Sequence, residues 1–270
     1  MLNMNIMNIS YRLEKAQHLK TTGFYIDAIL LLEDIPVSER NGYSGFLIYE
    51  LLSYCYNHLG YYEKGLRFAD ICLEICDKFQ FYPNMSLAYL DKAYAFMHKK
   101  MFDEAQEFYD LAYENQCKYY GENHLKTITL YEPRGFILMY QHRWPQAKEM
   151  FQAGFSAFKS YLGFDHISTQ LFYLLSLFCD MQMHCSGCSA EELKNLTTLF
   201  KDYLCLDTPI CVSYKYQKYL KFCQLFMNLH GLLSQDEHVQ LVQFYQNLAD
   251  SCFYDVFLNL KKRGVCYEFL

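Results

Sequence analysis

Apolar residues recur with helical spacing along most of the chain, between short turns that share one pattern. In four of these turns an aromatic residue comes three positions before a small residue: Tyr25/Ala28, Tyr62/Gly65, Phe102/Ala105 and Trp144/Ala147. The small residues are 37, 40 and 42 positions apart. A small residue lets two helices approach closely, and the aromatic ring fills the corner between them. The pattern therefore predicts repeated helix–turn–helix units.

Two longer linkers also share a sequence pattern. Their matching residues are all 42 positions apart: Gly121 and Gly163, His124 and His166, Thr127 and Thr169. Each linker follows one helical pattern and precedes another. We expect the glycine to end the first helix and a threonine or aspartate to cap the next. Because the histidines recur at equivalent places, we interpret them as structural packing residues.

The C-terminal part continues in helical patterns without the corner signature. Capping-box spacing opens apolar runs at 189–192 and 234–237, and cations followed by Gly264 mark a helix end. Helical arrays need an atypical terminal unit to cover the last apolar face. We therefore predict two segments, with about five helix pairs in residues 1–206 and C-terminal capping helices of the same array in residues 207–270.

The corners resemble the tetratricopeptide repeat (TPR), whose signature combines small residues, a glycine, an aromatic residue and often a proline. The first unit shows the signature most completely, in Ala16, Leu19, Gly23, Tyr25, Ala28, Leu32 and Pro36. The period of about 42 residues and the Gly-x-x-His-x-x-Thr linkers resemble the long repeats of kinesin light chains. The second unit departs from the pattern with Gly65 where alanine is usual, and the fourth lacks the corner glycine. The resemblance implies an all-α, right-handed solenoid of antiparallel helix pairs.

In such a solenoid the first helix of each pair lines an inner groove, and the register of the corners places residues in it. We expect an aromatic column there, made of Tyr54, Tyr94, Phe136 and Phe178. One turn later on the same helices come Asn57, Met97, Met139 and Met181, and one turn earlier come Glu50, Leu90 and Glu132. Two histidines, His58 and His98, are expected beside these columns. Methionine and aromatic side chains make adaptable apolar sites for peptides. The two carboxylates favour a basic group on the ligand.

The same columns have a second interpretation, in which they form the core between adjacent repeats. Aromatic and methionine stripes at helical spacing are common in cores, and an error of one residue in the register would bury them. Pro133 adds a constraint, since a proline inside a helix makes the helix start near Glu132 or kink. The sequence leaves both interpretations open.

Composition and charge narrow the classes of partner. Twenty-four Lys and Arg against 30 Asp and Glu give a net charge of −6, without the basic footprint of a nucleic-acid or anionic-membrane protein. No apolar stretch reaches the length of a membrane span, and no secretory signal is visible at the start. Twelve cysteines are then expected to be reduced, and Cys72 and Cys76 share an apolar helical face. A cytoplasmic protein is predicted, and the sequence does not indicate its oligomeric state.

Candidate chemistry is sparse. Cys185 and Cys188, next to His184, have the spacing of a zinc or redox pair, but no second such pair exists in the sequence. We interpret this segment as a loop and predict neither a metal nor a cofactor. No phosphate-binding glycine loop, metalloprotease motif or nucleophile elbow is present. The chain is therefore expected not to be an enzyme.

Two functions fit these expectations. The first is a non-enzymatic interaction module or adaptor that binds a peptide or partner protein in the groove, because repeat arrays present long rigid surfaces. The alternative is a peptide-responsive regulator that resembles bacterial TPR pheromone receptors. Those receptors usually carry an N-terminal DNA-binding domain or an effector bundle, and here the first repeat begins by about Ile9. Such a regulator would act through another chain.

Overall fold

The computed structural model describes residues 9–184 together with Glu191, Lys194, Asn195, Thr198 and Leu199. The chain forms two compact units, residues 1–143 and residues 144–270. Within 9–184 the regular elements are helices joined by short turns. The predicted capping segment 207–270, the boundary at residue 206 and the Cys185/Cys188 pair lie outside the described residues.

In the first unit eight α-helices follow one another among the described residues: α1 (Ile9–Thr22), α2 (Tyr25–Glu33), α3 (Gly42–His58), α4 (Tyr62–Phe79), α5 (Met85–His98), α6 (Phe102–Tyr120), α7 (Leu125–Ile128) and α8 (Tyr131–Tyr140). Short 3-10 turns precede α3 and α5, at Val37–Glu39 and Tyr82–Asn84. The second unit has α9 (Trp144–Leu162) and α10 (Ile167–His184) in its described part.

Consecutive helices pack in pairs. In the first unit α1 packs on α2, α3 on α4 and α5 on α6, and in the second unit α9 packs on α10. The first helices of successive pairs also contact one another, because α3 lies against both α1 and α5, and α5 against α8. These contacts confirm the first three predicted helix pairs, and α3, α5 and α8 form one continuous row.

The tight corners explain the recurring small residues. The small residue of each corner is fully or almost fully buried, and the aromatic residue three positions earlier is the first residue of α2, α4, α6 or α9. The turn itself needs one residue with a positive φ, and the residues in that position are Gly23, Gly60, Lys100 and His142. Glycine adopts this conformation without steric cost, whereas a lysine or histidine is strained there.

The two longer linkers are built alike, and one expectation about them is wrong. Gly121 ends α6 with a φ of 88°, as expected. The cap of the next helix is His124, whose Nδ1 accepts from the backbone N–H of Lys126 at 3.1 Å. Thr127 is buried instead, and its hydroxyl donates to the carbonyl of Gly121 at 2.7 Å. The predicted threonine or aspartate cap is therefore a histidine, because the threonine hydroxyl closes the linker back onto the preceding glycine.

The second unit repeats this arrangement between α9 and α10. Thr169 is buried and donates to the carbonyl of Gly163 at 2.8 Å, and the Nδ1 of His166 accepts from the backbone N–H of Ser168 at 3.2 Å. The recurrence of glycine, histidine and threonine at a spacing of 42 is thus a recurrence of one hydrogen-bonded linker. Both histidines cap the following helix, and His124 also packs on the Tyr120 ring at 5.2 Å between centroids, as predicted for it.

Pro133 determines where α8 begins. Helix α7 stops at Ile128, and α8 begins at Tyr131, so that Pro133 lies in the first turn of α8, where its missing N–H costs least. The backbone N–H of Arg134 donates to Leu130 at 3.3 Å and resumes the helical pattern. The predicted helix start near Glu132 is confirmed.

Buried thiols belong to the core. Cys72 and Cys76 lie on the buried face of α4, and Cys55 and Cys179 are buried as well. Burial raises the pKa of Cys55 and of Cys76 to about 12. These thiols stay protonated and behave as small apolar side chains. The described cysteines are all free thiols.

Candidate functional site

Five aromatic rings, each in contact with the next, run across the row of first helices. Tyr54 and His58 of α3 stack at 3.9 Å between ring centroids, and His58 stacks on Tyr94 of α5 at 4.6 Å. Tyr94 lies 4.3 Å from His98, and His98 meets Tyr140 of α8 edge-on at 5.1 Å. We call these five residues the Tyr–His stack. It is a continuous aromatic surface that joins three helices of the first unit.

Helix geometry explains why these rings meet. Residues four positions apart lie above one another on a helix, which places Tyr54 next to His58 and Tyr94 next to His98. The pairs occur at equivalent places in successive repeats, 40 residues apart. Because α3 packs against α5, the end of one pair contacts the start of the next. The imidazole Nδ1 of His58 lies 2.9 Å from the carbonyl oxygen of Tyr54, which fixes the ring in the stack.

Corner aromatics support the stack from the second helices. Tyr25, the first residue of α2, lies 5.1 Å from His58 and 6.2 Å from Tyr54. Tyr62, the first residue of α4, is stacked on His98 at 5.8 Å with an interplanar angle of 10°. The same residues that close the helix corners therefore hold the histidines of the following repeat in place.

A charged pair lies at the first end of the stack. The ammonium of Lys20 is 4.1 Å from the centroid of the Tyr54 ring and 2.8 Å from the carboxylate of Glu50. Both side chains are largely buried, with 15% of Lys20 and 11% of Glu50 exposed. The pair neutralises Glu50 and places a cation over one face of the stack.

Asp91 adds a second buried carboxyl group nearby. Burial, and next the Glu50 carboxylate, raise the pKa of Asp91 well above its ordinary value, while Lys20 opposes the shift. One of its carboxyl oxygens has no hydrogen-bond partner. A carboxyl group buried in this way favours its neutral form. The polar cluster beneath Tyr54 thus holds one ion pair and one carboxyl group that resists ionisation.

The predicted site residues divide into two groups by exposure. Partly exposed are Tyr54, His58, Leu90, Tyr94, His98 and Glu132. Buried are Glu50, Asn57, Met97, Phe136 and Met139 in the first unit, and Phe178 and Met181 in the second. Four of the first group belong to the Tyr–His stack. For the second group, packing in the core accounts for the side chain, as the second interpretation of the columns expected.

Asn57 shows what the buried column does. Its side-chain N–H donates to the backbone carbonyl of Asp91 at 3.0 Å and so ties α3 to α5. A Cβ atom at Gly65 would lie 1.9 Å from the Asn57 side-chain oxygen. Gly65 therefore replaces the usual alanine because Asn57 occupies the space that the methyl group would need.

In the second unit, Phe178 contacts an aromatic corner residue. Its ring meets that of Trp144 edge-on at 6.1 Å, and Met181 is fully buried on the same helix. Gly154 of α9 allows the close packing of α10, since a Cβ atom there would lie 2.4 Å from the Phe172 ring. These contacts belong to the α9–α10 core.

Sequence reasoning missed four residues of this surface: Lys20, Tyr25, Tyr62 and Tyr140. A signal existed for two of them. Tyr140 lies 42 positions after His98, which is the spacing of the third and fourth corners, so it occupies the equivalent position of the next repeat. Lys20 lies 37 positions before Asn57, which is the spacing of the first two corners, and is equivalent to it in the first repeat. Tyr25 and Tyr62 were expected only to fill their corners. Their second role depends on how the pairs pack, which the local pattern does not contain.

Other kinds of site find no support in the described part of the chain. No group of three or more metal-ligating side chains comes together there. Nor does any helix of that part have the length and apolar character needed to cross a membrane.

Comparisons with known proteins identify the fold. No protein-family model and no curated protein match the chain. Two solved structures that do match come from a putative kinesin light chain of Podosopora anserina with nearly identical TPR-like repeats. One gives a TM-score of 0.53 at 15% identity, covering 78% of this chain and 96% of that one. The other gives 0.52 at 15% identity, covering 73% and 94%.

At this level of identity the likeness concerns the fold. The helix pairs, the corners and the structural match together confirm the predicted all-α, TPR-like architecture.

Proposed function

We propose that the chain is a non-enzymatic protein-interaction module whose first unit binds a peptide or a segment of a partner protein on the Tyr–His stack. The stack itself carries this proposal, because five rings of three helices form one partly exposed aromatic surface. Aromatic side chains held in fixed positions are the usual anchors of protein interfaces. Since the rings already contact one another, binding costs little ordering on this side.

The expected ligand is apolar or aromatic where it meets the stack. Flat rings offer faces and edges to aromatic and aliphatic side chains, and the imidazoles add hydrogen-bonding edges. A basic group was expected to meet Glu50 or Glu132. Lys20 already neutralises Glu50, so Glu50 is not expected to receive that group.

A cytoplasmic location remains part of the proposal. The five described cysteines are free thiols, which fits a reducing compartment. A scaffold or adaptor role would follow if the second unit or the convex side of the helices bound a further protein. No observation on the described residues favours the alternative of a pheromone-responsive regulator.

Selection from a library of random displayed peptides tests the proposal without knowledge of the natural partner. The immobilised full chain is used for enrichment, and the enriched peptides are then titrated by fluorescence anisotropy. We expect enrichment of aromatic and aliphatic residues and a loss of affinity of at least about tenfold in a Tyr94→Ser variant.

A matched control is Tyr119→Ser, which removes an exposed tyrosine of α6 that has no part in the stack. Both variants are first shown to melt close to the parent. Equal affinity of the parent and the folded Tyr94→Ser variant for every enriched peptide would refute binding on the stack. Equal loss in both variants would do the same, because it would show a non-specific effect of tyrosine removal.

A further inference from the structure

Helix α2 carries apolar side chains on its outer face. Ile26 and Leu30 are both 62% exposed, and Phe24 just before the helix is 59% exposed. Ile26 and Leu30 are four positions apart, so that they lie above one another on the surface. The outer face of a helix in a water-soluble protein is normally polar. An adjacent exposed pair of this size indicates an interaction surface.

The corresponding positions of later repeats carry charges. With the corner spacings of 37 and 40, Ile26 corresponds to Glu63 and Asp103, and these two side chains are charged and accessible. Leu30 corresponds in the same way to Arg67 and Glu107, which are both exposed. The repeat architecture therefore does not require apolar residues here. The apolar pair is a property of the first repeat alone among these three.

Carboxylates surround the pair. Residues 25–39 contain no lysine or arginine, and their four acidic residues are all exposed: Asp27, Glu33, Asp34 and Glu39. Three of them are helical neighbours of the apolar pair, at spacings of three, four or seven positions. Arg12 reaches Asp34 at 2.7 Å, and Arg40 is bound to backbone carbonyls of Glu33 and Ile35. Arg12 neutralises Asp34, and the three other carboxylates outnumber Arg40, so the surface combines an apolar centre with a rim of net negative charge, the acidic rim.

From this combination we infer that the outer face of α2 binds a basic amphipathic helix. The apolar stripe of such a helix covers Ile26 and Leu30, and its lysine or arginine side chains meet the acidic rim. A second copy of this chain fits less well, because the same face opposite itself would bring two acidic rims together. The surface is distinct from the Tyr–His stack and does not depend on the proposed function of the stack.

The probe is a synthetic helical peptide of leucine and lysine, about 18 residues long, whose leucines form an apolar stripe with a period of 3.6 residues. We expect it to bind the full chain with an affinity that falls as salt rises, and to slow amide hydrogen exchange over residues 24–37. A peptide with glutamate in place of lysine is expected not to bind. The Ile26→Glu/Leu30→Arg variant, which introduces the charges of the second repeat, should bind at least about tenfold more weakly.

Two control variants, together with sedimentation of the protein at several concentrations, decide the outcome. Leu111→Glu changes an exposed leucine of α6, and Tyr94→Ser changes the stack; both should leave binding of the leucine–lysine peptide intact. Equal binding by the Ile26→Glu/Leu30→Arg variant, or protection of amides elsewhere only, would overturn the inference. So would sedimentation showing that the parent dimerises through this face and that the double variant does not.

Discussion

At the residue scale, the corner positions show how one backbone geometry is met by different residues. Gly23 and Gly60 adopt the positive φ of the first two corners without cost, whereas Lys100 has a φ of 62° in the third. An L-amino acid loses about 1 kcal/mol in this conformation. The departure of the third corner from the glycine of the TPR signature thus leaves a small instability in the fold.

Replacing Lys100 by glycine should remove this strain. We expect Lys100→Gly to raise the free energy of unfolding by about 0.5–1 kcal/mol, after the entropy that glycine adds to the unfolded chain. Urea unfolding followed by circular dichroism measures the change. Lys118→Gly, in the last turn of α6, is the matched control and should lower stability, by at most about 1 kcal/mol. A loss of stability in both variants would contradict the strain at residue 100.

A second residue-scale prediction concerns the buried carboxyl group of Asp91. Its pKa is raised in the folded state, so the folded protein holds a proton that the unfolded chain releases. Stability from this group is therefore present at low pH and is lost as the pH rises through the folded pKa. We expect Asp91→Asn to be more stable than the parent at neutral pH by more than about 1 kcal/mol, and the difference to shrink toward about pH 4.

Unfolding free energies of both proteins across this pH range provide the test. Asp70→Asn is a suitable control, because Asp70 is largely exposed and pairs with Lys92 at the surface. A difference between Asp91→Asn and the parent that stays constant with pH would show that Asp91 does not carry a raised pKa.

At the element scale, the two long linkers each contain a hydrogen bond between the threonine and the glycine that recur in them 42 positions apart. The buried hydroxyl of Thr127 donates to Gly121, and Thr169 does the same for Gly163 in the second unit. Thr127→Val keeps the shape of the side chain but removes the donor, and we expect it to lower the free energy of unfolding by about 1 kcal/mol. Thr127→Ser retains the hydroxyl and should keep the linker hydrogen bond. Thermal unfolding measures both, and equal melting of Thr127→Val and the parent would refute the role.

Most of the element pattern was predictable because it depends on local chemistry. Glycine, aromatic and small residues determine where a chain turns and where two helices approach, so the corners and the start of α8 near Pro133 follow from the sequence. The N-terminal cap of α7 is His124 and not the predicted threonine or aspartate. Histidine and threonine side chains can both accept a hydrogen bond from a backbone N–H, and only the fold decides which of them faces the start of the helix.

The candidate site was predictable only in part, for a geometric reason. Tyr94 and Met97 are three positions apart, which separates their directions by about 60° around the helix axis. That rotation distinguishes a ring at the surface from a side chain in the core, and it is set by the packing of α5 between α3 and α6. The spacing of the repeats identified the columns, but their exposure required the tertiary structure.

At the scale of the whole molecule, the first unit presents two surfaces of different character. The Tyr–His stack crosses α3, α5 and α8, while the exposed pair Ile26 and Leu30 belongs to α2. A TPR-like array can display several such surfaces because each repeat contacts mainly its neighbours. Of the two, the Tyr–His stack is the surface that we propose to receive the peptide ligand.

Histidine resonances test this claim most directly. With the histidines isotopically labelled, a peptide enriched on the full chain is titrated while the ring signals of His58 and His98 are followed by NMR. We predict that both signals shift with the binding curve, because a bound side chain changes the surroundings of the two imidazoles and an aromatic one adds its own ring current. His124, in its linker, serves as the internal reference. Saturated binding with unchanged His58 and His98 signals would contradict the account.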